Sequence, residues 1–119
     1  EDRNNVYIVA ELLYGGHLGE IMDNAFTSGC HVTATYLAKV AHKALQGVVY
    51  LHSRYIIHCD LKEANIMMTG DLREPSVVLI DFGMARTFVM AGVNGGTYGY
   101  MSPEVLTDCL VTPKADVFA

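Results

Sequence analysis

Residues 58–65 read HCDLKEAN and place an acid, a lysine and an amide within six positions of one another. Asp60 could orient a hydroxyl group and accept its proton, and Lys62 could neutralise phosphoryl oxygens. Asn65 could offer its amide oxygen to a metal ion. These side chains suit phosphoryl transfer, because catalysis of that reaction consists mostly of positioning and charge stabilisation.

A second acid, Asp81, follows the apolar run VVLI at 77–80. A carboxylate is a hard oxygen ligand that suits Mg²⁺, an ion that often shares its coordination shell with substrate phosphates. Phe82 could anchor this acid by packing, and Gly83 lets the backbone turn immediately. An aspartate at the end of a strand also commonly just starts a turn, so neither acid is informative alone.

Three apolar segments predict strands. VYIVAELL at 6–13 is rich in β-branched and aromatic residues and is followed by the breaking sequence YGG. IMMT at 66–69 and VVLI at 77–80 predict a hairpin across a polar loop, with both ends directed at one site.

Helices are predicted over 17–26, from Thr33 onward, and from near Pro113. Thr33 is a plausible N-cap of a long amphipathic helix. The apolar positions that recur at helical spacing along it are Leu37, Val40, Ala41, Ala44, Leu45, Val48 and Leu51.

Several motifs together resemble the signature set of protein kinases, HRD-L-K-x-x-N, DFG and APE. They are HCDLKEAN, DFG at 81–83 and SPE at 102–104. GTYGYMSPE at 96–104 resembles the turn that docks the substrate peptide, and KADVF at 114–118 resembles the start of the large lobe's central helix. The resemblance implies an α+β, protein kinase-like fold in part: a hinge strand and the mainly helical large lobe up to that helix.

The resemblance also implies roles for the reacting residues. Asp60 is the expected catalytic base or hydroxyl positioner, and Lys62 the residue that steadies the transferred phosphoryl group. Thr97 is expected to hydrogen-bond near both of them. Asn65 and Asp81 are the expected ligands of Mg²⁺.

The hinge is the expected site of the adenine ring of ATP. By resemblance, the backbone of Glu11 and Leu13 contacts the ring, and Leu18 and Met67 cover its two faces. Ala10 stands where the pocket behind the adenine is guarded, and its small side chain implies a cavity there.

Other positions are expected to be structural. By resemblance, His58 stacks under Phe82, which with Gly83 belongs to the DFG motif, and Asp116 braces the catalytic loop. Glu104 is expected to pair with an arginine beyond the end of this sequence.

Cys59 stands where the signature motif has an arginine that grips an activating phosphate. The usual phosphate-accepting position, four before Thr97, holds Val93. Because both halves of that switch are replaced, Cys59 is interpreted as a small neutral substitute. A reactive redox thiol is the alternative.

Composition narrows the classes of partner. The net charge of −5 argues against a nucleic-acid-binding module, and no apolar run approaches the ~20 residues of a membrane span. The three cysteines, at 30, 59 and 109, show no zinc or disulfide spacing. A reducing compartment follows as the expectation, hence an intracellular, cytoplasmic location.

Taken together, residues 1–119 are expected to form part of a protein kinase domain: the hinge, the catalytic loop, DFG, the activation segment and SPE. The small lobe and the C-terminal helices are expected outside this sequence, so the isolated chain is expected to be inactive. The implied reaction is transfer of a phosphoryl group from Mg-ATP to protein serine or threonine, since Lys62 and the Gly96–Thr97 pair resemble serine/threonine-specific members. HCDLKE with Ala10 also resembles calcium-dependent kinases, whose calcium-sensing regulatory domain would lie elsewhere.

Three alternatives remain open at this stage. The chain could belong to a pseudokinase that acts as a scaffold, or to a small-molecule phosphotransferase of the aminoglycoside or choline kinase type. A metal site formed by His52, His58 and Asp60 is also conceivable.

Overall fold

The computed structural model describes residues 3–70, 74–88 and 95–119. In chain order, the helices and strands are α1 (Leu18–Thr27), α2 (Ala34–Ser53), β1 (Ile56–Ile57), β2 (Ile66–Gly70), β3 (Pro75–Leu79), β4 (Arg86–Thr87), α3 (Pro103–Asp108) and α4 (Pro113–Phe118). Short 3-10 turns cover Glu63–Asn65, Phe82–Met84 and Tyr98–Tyr100. This mixture of helices and small antiparallel sheets confirms the predicted α+β class.

Helix α2 is the longest element and carries much of the core. The Thr33 hydroxyl accepts a hydrogen bond from Tyr36 N (3.2 Å), which confirms Thr33 as the N-cap. The buried side chains of this helix are Val40, Val48 and Leu51. Leu37 and Leu45 are exposed, so the predicted apolar face is too wide. A helix packed along one side buries only a stripe of its surface, here the stripe that faces β1 and β3.

Strands β2 and β3 form the predicted antiparallel hairpin, with Ile66 opposite Leu79 and Gly70 opposite Pro75. Beyond the last pair, Ile80 N donates to Asn65 O (3.0 Å). This bond extends the pairing of the two strands by one residue at the end of the hairpin opposite its connecting loop. Asn65 and Asp81, which flank the two strands, therefore emerge at the same end.

The predicted strand at 6–13 is wrong, because this segment has no regular secondary structure. Its side chains lie in solvent, with Ile8 91% and Val9 96% exposed. Strand propensity alone does not make a strand, since the backbone N–H and C=O groups need a neighbouring strand as partner. No described strand pairs with this segment.

Gly15 allows the chain to cross β2 at very close range. A Cβ atom at this position would stand 1.8 Å from Met68 O. The next residue makes the contact, because Met68 N donates to Gly16 O (2.9 Å). This crossing ties the segment before α1 to the hairpin.

Strands β1 and β4 form a second two-stranded sheet, with Ile57 opposite Arg86. It joins the segment before the HCDLKEAN loop to the segment after DFG. Across the described ranges, no helix is both long and apolar enough to cross a membrane.

We predict that Gly15→Ala lowers the free energy of unfolding by roughly 1–3 kcal/mol, because the added methyl group forces the backbone away from Met68. Urea unfolding measures the change. Gly99→Ala is the matched control, because a Cβ there has no heavy atom within 4 Å. Equal stability of the two variants would contradict the close crossing.

Candidate active site

The Asp60 carboxylate is the centre of a hydrogen-bonded cluster. Lys62 Nζ donates to Asp60 Oδ2 (2.8 Å), and Thr97 Oγ1 donates to Asp60 Oδ1 (2.7 Å). Lys62 Nζ also donates to Thr97 Oγ1 (2.8 Å). Asn65 Nδ2 donates to the Asp60 backbone carbonyl (2.7 Å) and to Oδ2 (3.2 Å). Four residues that the sequence predicts for the site are therefore in direct contact.

These contacts set the charge state of Asp60. Partial burial raises the pKa of its carboxyl, but hydrogen bonds from Lys62, Thr97 and Asn65 and the charge of Lys62 lower it by more. The net pKa lies below the usual value. At neutral pH the group is a carboxylate, which is the form that can orient a hydroxyl group.

Asp116 holds the start of the HCDLKEAN loop in place through backbone hydrogen bonds. Its carboxylate is buried and accepts hydrogen bonds from His58 N (2.8 Å) and Cys59 N (2.9 Å). His52 Nε2 lies 2.9 Å from the same carboxylate. No motif in the sequence marked His52 as a partner of Asp116, because the two residues lie 64 positions apart.

His58 joins the loop to the DFG segment. Its ring is fully buried, and its Nε2 lies 3.0 Å from Ile80 O, the residue before Asp81. The centroids of the imidazole and Phe82 rings lie 5.0 Å apart and the ring planes are inclined by 46°, so the two rings are in contact but tilted, not stacked as expected. A carbonyl oxygen can only accept, so Nε2 carries the hydrogen.

Asp81 stands at the open end of the hairpin in a left-handed conformation (φ 62°, ψ 76°). Gly83 N donates to its Oδ1 (3.2 Å), and its side chain is exposed. Asp81 and the amide oxygen of Asn65 are hard ligands of the type that Mg²⁺ prefers.

The alternative metal site is not formed. His52 Nε2 contacts the Asp116 carboxylate (2.9 Å), and His58 Nε2 contacts Ile80 O (3.0 Å). Within 3–70, 74–88 and 95–119, no three His, Cys, Asp or Glu side chains are grouped to hold a metal ion.

The thiol of Cys59 is neutral. Burial and the nearby Asp116 charge raise its pKa from 9.0 to about 11, although Arg86 opposes them. A thiol in this state is a weak nucleophile, which favours the neutral-substitute interpretation over a redox switch. Its backbone lies in the left-handed region (φ 68°). The matching expectation for Val93 falls outside the described residues.

The residues expected around the nucleotide are only partly gathered. Leu18 begins α1 directly after His17, which forms a β-bridge with Met67, so Leu18 and Met67 lie near one another. Ala10 and Glu11 stay exposed in the segment without secondary structure.

Glu104 is partly exposed on α3, and its carboxyl pKa lies below the usual value, chiefly because its own backbone N–H donates to it. A cleft opens beside the cluster. Its lining includes Cys59, Asp60, Arg86, Thr97, Tyr100 and Asp116.

The amino-acid sequence was also compared with known proteins, and it matches a known family. A family profile described as "Protein kinase domain" matches residues 1–119. The chain is 34% identical, over its full length, to a probable serine/threonine-protein kinase 2 of Plasmodium falciparum. It is 31% identical over 99% of its length to mitogen-activated protein kinase kinase 2 of Arabidopsis thaliana. It is 30% identical over its full length to a calcium/calmodulin-dependent protein kinase type 1 of Macrobrachium nipponense.

The chain spans only part of these relatives. The aligned region covers 23% of the Plasmodium protein, 32% of the Arabidopsis protein and 34% of the Macrobrachium protein.

We predict that Asp116→Ala speeds amide hydrogen exchange at His58 and Cys59 by about 10-fold or more. The change removes two hydrogen bonds to a buried carboxylate, each worth about 1.5–3 kcal/mol. Exchange measured by NMR reports the effect residue by residue. Asp108→Ala, at an exposed position of α3, is the control. Unchanged exchange in Asp116→Ala would refute the brace.

We predict that iodoacetamide at pH 8 alkylates Cys59 roughly 10-fold more slowly than Cys30 and Cys109, which are exposed. Only the thiolate reacts, and with a pKa of about 11 the thiolate of Cys59 accumulates only well above pH 8. Mass spectrometry of timed digests gives the three rates. In urea the rates should converge, and a Cys59 that reacts first in the folded protein would contradict the raised pKa.

Proposed function

This chain belongs to the protein kinase family, and on that premise we propose that it supplies the catalytic loop of an enzyme that transfers a phosphoryl group from ATP to serine or threonine hydroxyls of proteins. The three relatives named above are a probable serine/threonine-protein kinase, a mitogen-activated protein kinase kinase and a calcium/calmodulin-dependent protein kinase. The chain covers a minor part of each, so the reaction is proposed for the whole protein that contains it.

The observation that carries the proposal is the convergence of Lys62, Asn65 and Thr97 on the Asp60 carboxylate. Thr97 lies 37 positions from Asp60, so their hydrogen bond is a contact made by the fold and not a contact between sequence neighbours. An ionised acid beside a lysine and a threonine is the set that phosphoryl transfer to a hydroxyl group needs.

In the proposed reaction, Asp60 accepts a hydrogen bond from the attacking hydroxyl group and receives its proton as the hydroxyl oxygen bonds to the γ-phosphorus of ATP. The bond from that phosphorus to the β,γ-bridging oxygen breaks at the same time, and ADP leaves. The lowered pKa of Asp60 keeps this residue ionised for its role, and makes it chiefly an orienting group, because a weakly basic carboxylate takes up the proton late. Lys62 places its ammonium where it offsets the negative charge of the transferred group's oxygens. Thr97 holds Asp60 and Lys62 in register.

Asn65 and Asp81 would hold Mg²⁺. Their positions at one end of the β2–β3 hairpin fit this role, because the amide nitrogen of Asn65 is turned to Asp60 and its amide oxygen remains for a cation. Mg²⁺ bound there supplies charge neutralisation for the ATP phosphates. Leu18 and Met67 would cover the adenine, with the backbone of Glu11 and Leu13 as its hydrogen-bonding edge and Ala10 beside the pocket behind it.

The proposal also concerns the extent of the domain. Residues 1–119 are proposed as one section of a kinase domain whose small lobe and final helices are encoded elsewhere in the protein. A calcium-sensing regulatory domain is a narrower prediction; one relative is named as calmodulin-dependent and another as a MAP kinase kinase, so the relatives support the family more than that sub-group.

We predict that Asp60→Asn in the complete protein lowers kcat about 100- to 10,000-fold, since the orienting carboxylate is lost. Asp81→Asn should also abolish activity, because a ligand of the metal is weakened. Transfer of phosphate from ATP to a degenerate set of serine and threonine peptides is the assay.

Asp23→Asn makes the same chemical change on the exposed face of α1 and should leave kcat unchanged. Near-normal kcat in Asp60→Asn would refute the proposed function. Phosphorylation of small molecules, with none of peptides, would favour the small-molecule phosphotransferase instead.

A further inference from the structure

Two 3-10 turns face each other across the site. The first, Glu63–Asn65, begins after Lys62, and the second, Tyr98–Tyr100, begins after Thr97. Each begins with one backbone bond, Asn65 N to Lys62 O (2.9 Å) and Tyr100 N to Thr97 O (2.9 Å). Each ends with a second, Ile66 N to Glu63 O and Met101 N to Tyr98 O. Each is therefore a small, internally restrained unit.

Two contacts join these turns. The first is the Thr97 hydroxyl, which donates to Asp60 and accepts from Lys62. The second is the Tyr100 hydroxyl, which donates to Glu63 Oε2. Asp60 and Glu63 are three positions apart, as are Thr97 and Tyr100, so the two contacts form matched rungs between the segments.

The second contact supplies what the first lacks. Both bonds of Thr97 are made by its one hydroxyl oxygen, so they hold the second turn at a single point and leave it free to rotate about that point. A second anchor three residues away fixes the orientation of the turn. Hydrogen bonds to a carboxylate are stronger than those between neutral groups, which suits this role even at an exposed position such as Glu63.

The approach of the second segment depends on Gly96. Its φ of 128° is a conformation that other residues rarely adopt, and a Cβ there would lie 3.3 Å from Cys59 O. Thr97 thus reaches Asp60 along a backbone packed directly on the HCDLKEAN loop. Its position is set by backbone contact on one side and by the bond between Tyr100 and Glu63 on the other.

We propose that Glu63 and Tyr100 are positioning residues, whose hydrogen bond holds Thr97 against Asp60 and Lys62 during phosphoryl transfer. This inference rests on the proposed function. Neither residue needs to touch the substrate, and both act through Thr97. The bond also explains why an acid follows Lys62 in this chain.

The test uses the complete protein and compares kcat with the KM for ATP. Tyr100→Phe and Glu63→Ala should each lower kcat about 5- to 10-fold, with the KM for ATP unchanged, since this bond acts through Thr97 and not on the nucleotide. Because both changes break the same bond, the double variant should lose no more than either single variant. Glu63→Gln keeps an acceptor oxygen and should retain most of the activity.

The matched control is Tyr50→Phe, the same loss of a hydroxyl group at an exposed position of α2, and it should keep wild-type kcat. Wild-type kcat in Tyr100→Phe, or additive losses in the double variant, would overturn the positioning role. Parallel losses of kcat and of folded fraction, measured by circular dichroism, would also overturn it in favour of a stability effect. An inactive wild-type protein would overturn the proposed function itself, a result distinct from active enzyme with an unaffected Tyr100→Phe variant.

Discussion

The site depends on the hydrogen bonds made by the buried carboxylate of Asp116. The carboxylate accepts hydrogen bonds from the backbone N–H groups of His58 and Cys59 and lies beside His52. A buried carboxylate is costly unless it is well hydrogen-bonded, so these donors hold it as firmly as it holds them. The bonds also maintain Cys59 in a left-handed conformation (φ 68°), which is unfavourable for a residue with a side chain. The direction of the chain into Asp60 follows from that turn.

Beyond the bonds of Asp116, the site is held together by contacts between segments that lie apart in the sequence. His58 ties the loop to the DFG segment through Ile80 O and the ring of Phe82. The β2–β3 hairpin returns the chain so that Asn65 and Asp81 lie at the same end of the hairpin. Thr97 arrives from the far segment and completes the polar cluster at Asp60. The acid is balanced by a lysine, so the cluster concentrates charge without leaving it unpaired.

Cys59 shows how a departure from the family pattern is accommodated. An arginine there would add a full charge beside Asp116 and the cleft, whereas the thiol stays neutral because burial and the Asp116 carboxylate raise its pKa to about 11. The loop is then held by backbone bonds to Asp116 and needs no charged side chain at this position.

The sequence alone determined the hairpin and the long helix with its Thr33 cap, because hydrophobic period and capping are local properties. Motif spacing also predicted the residues of the catalytic loop, and their catalytic roles stay a prediction. The prediction from sequence was wrong about the strand at 6–13, and it placed Leu37 and Leu45 on the apolar face of α2 although both are exposed. Burial and strand pairing depend on which surfaces meet. Only the tertiary structure decided the partnership of His52 with Asp116 and of Tyr100 with Glu63. Those contacts join residues 64 and 37 positions apart, and no local pattern records which distant side chain will arrive at a given donor or acceptor.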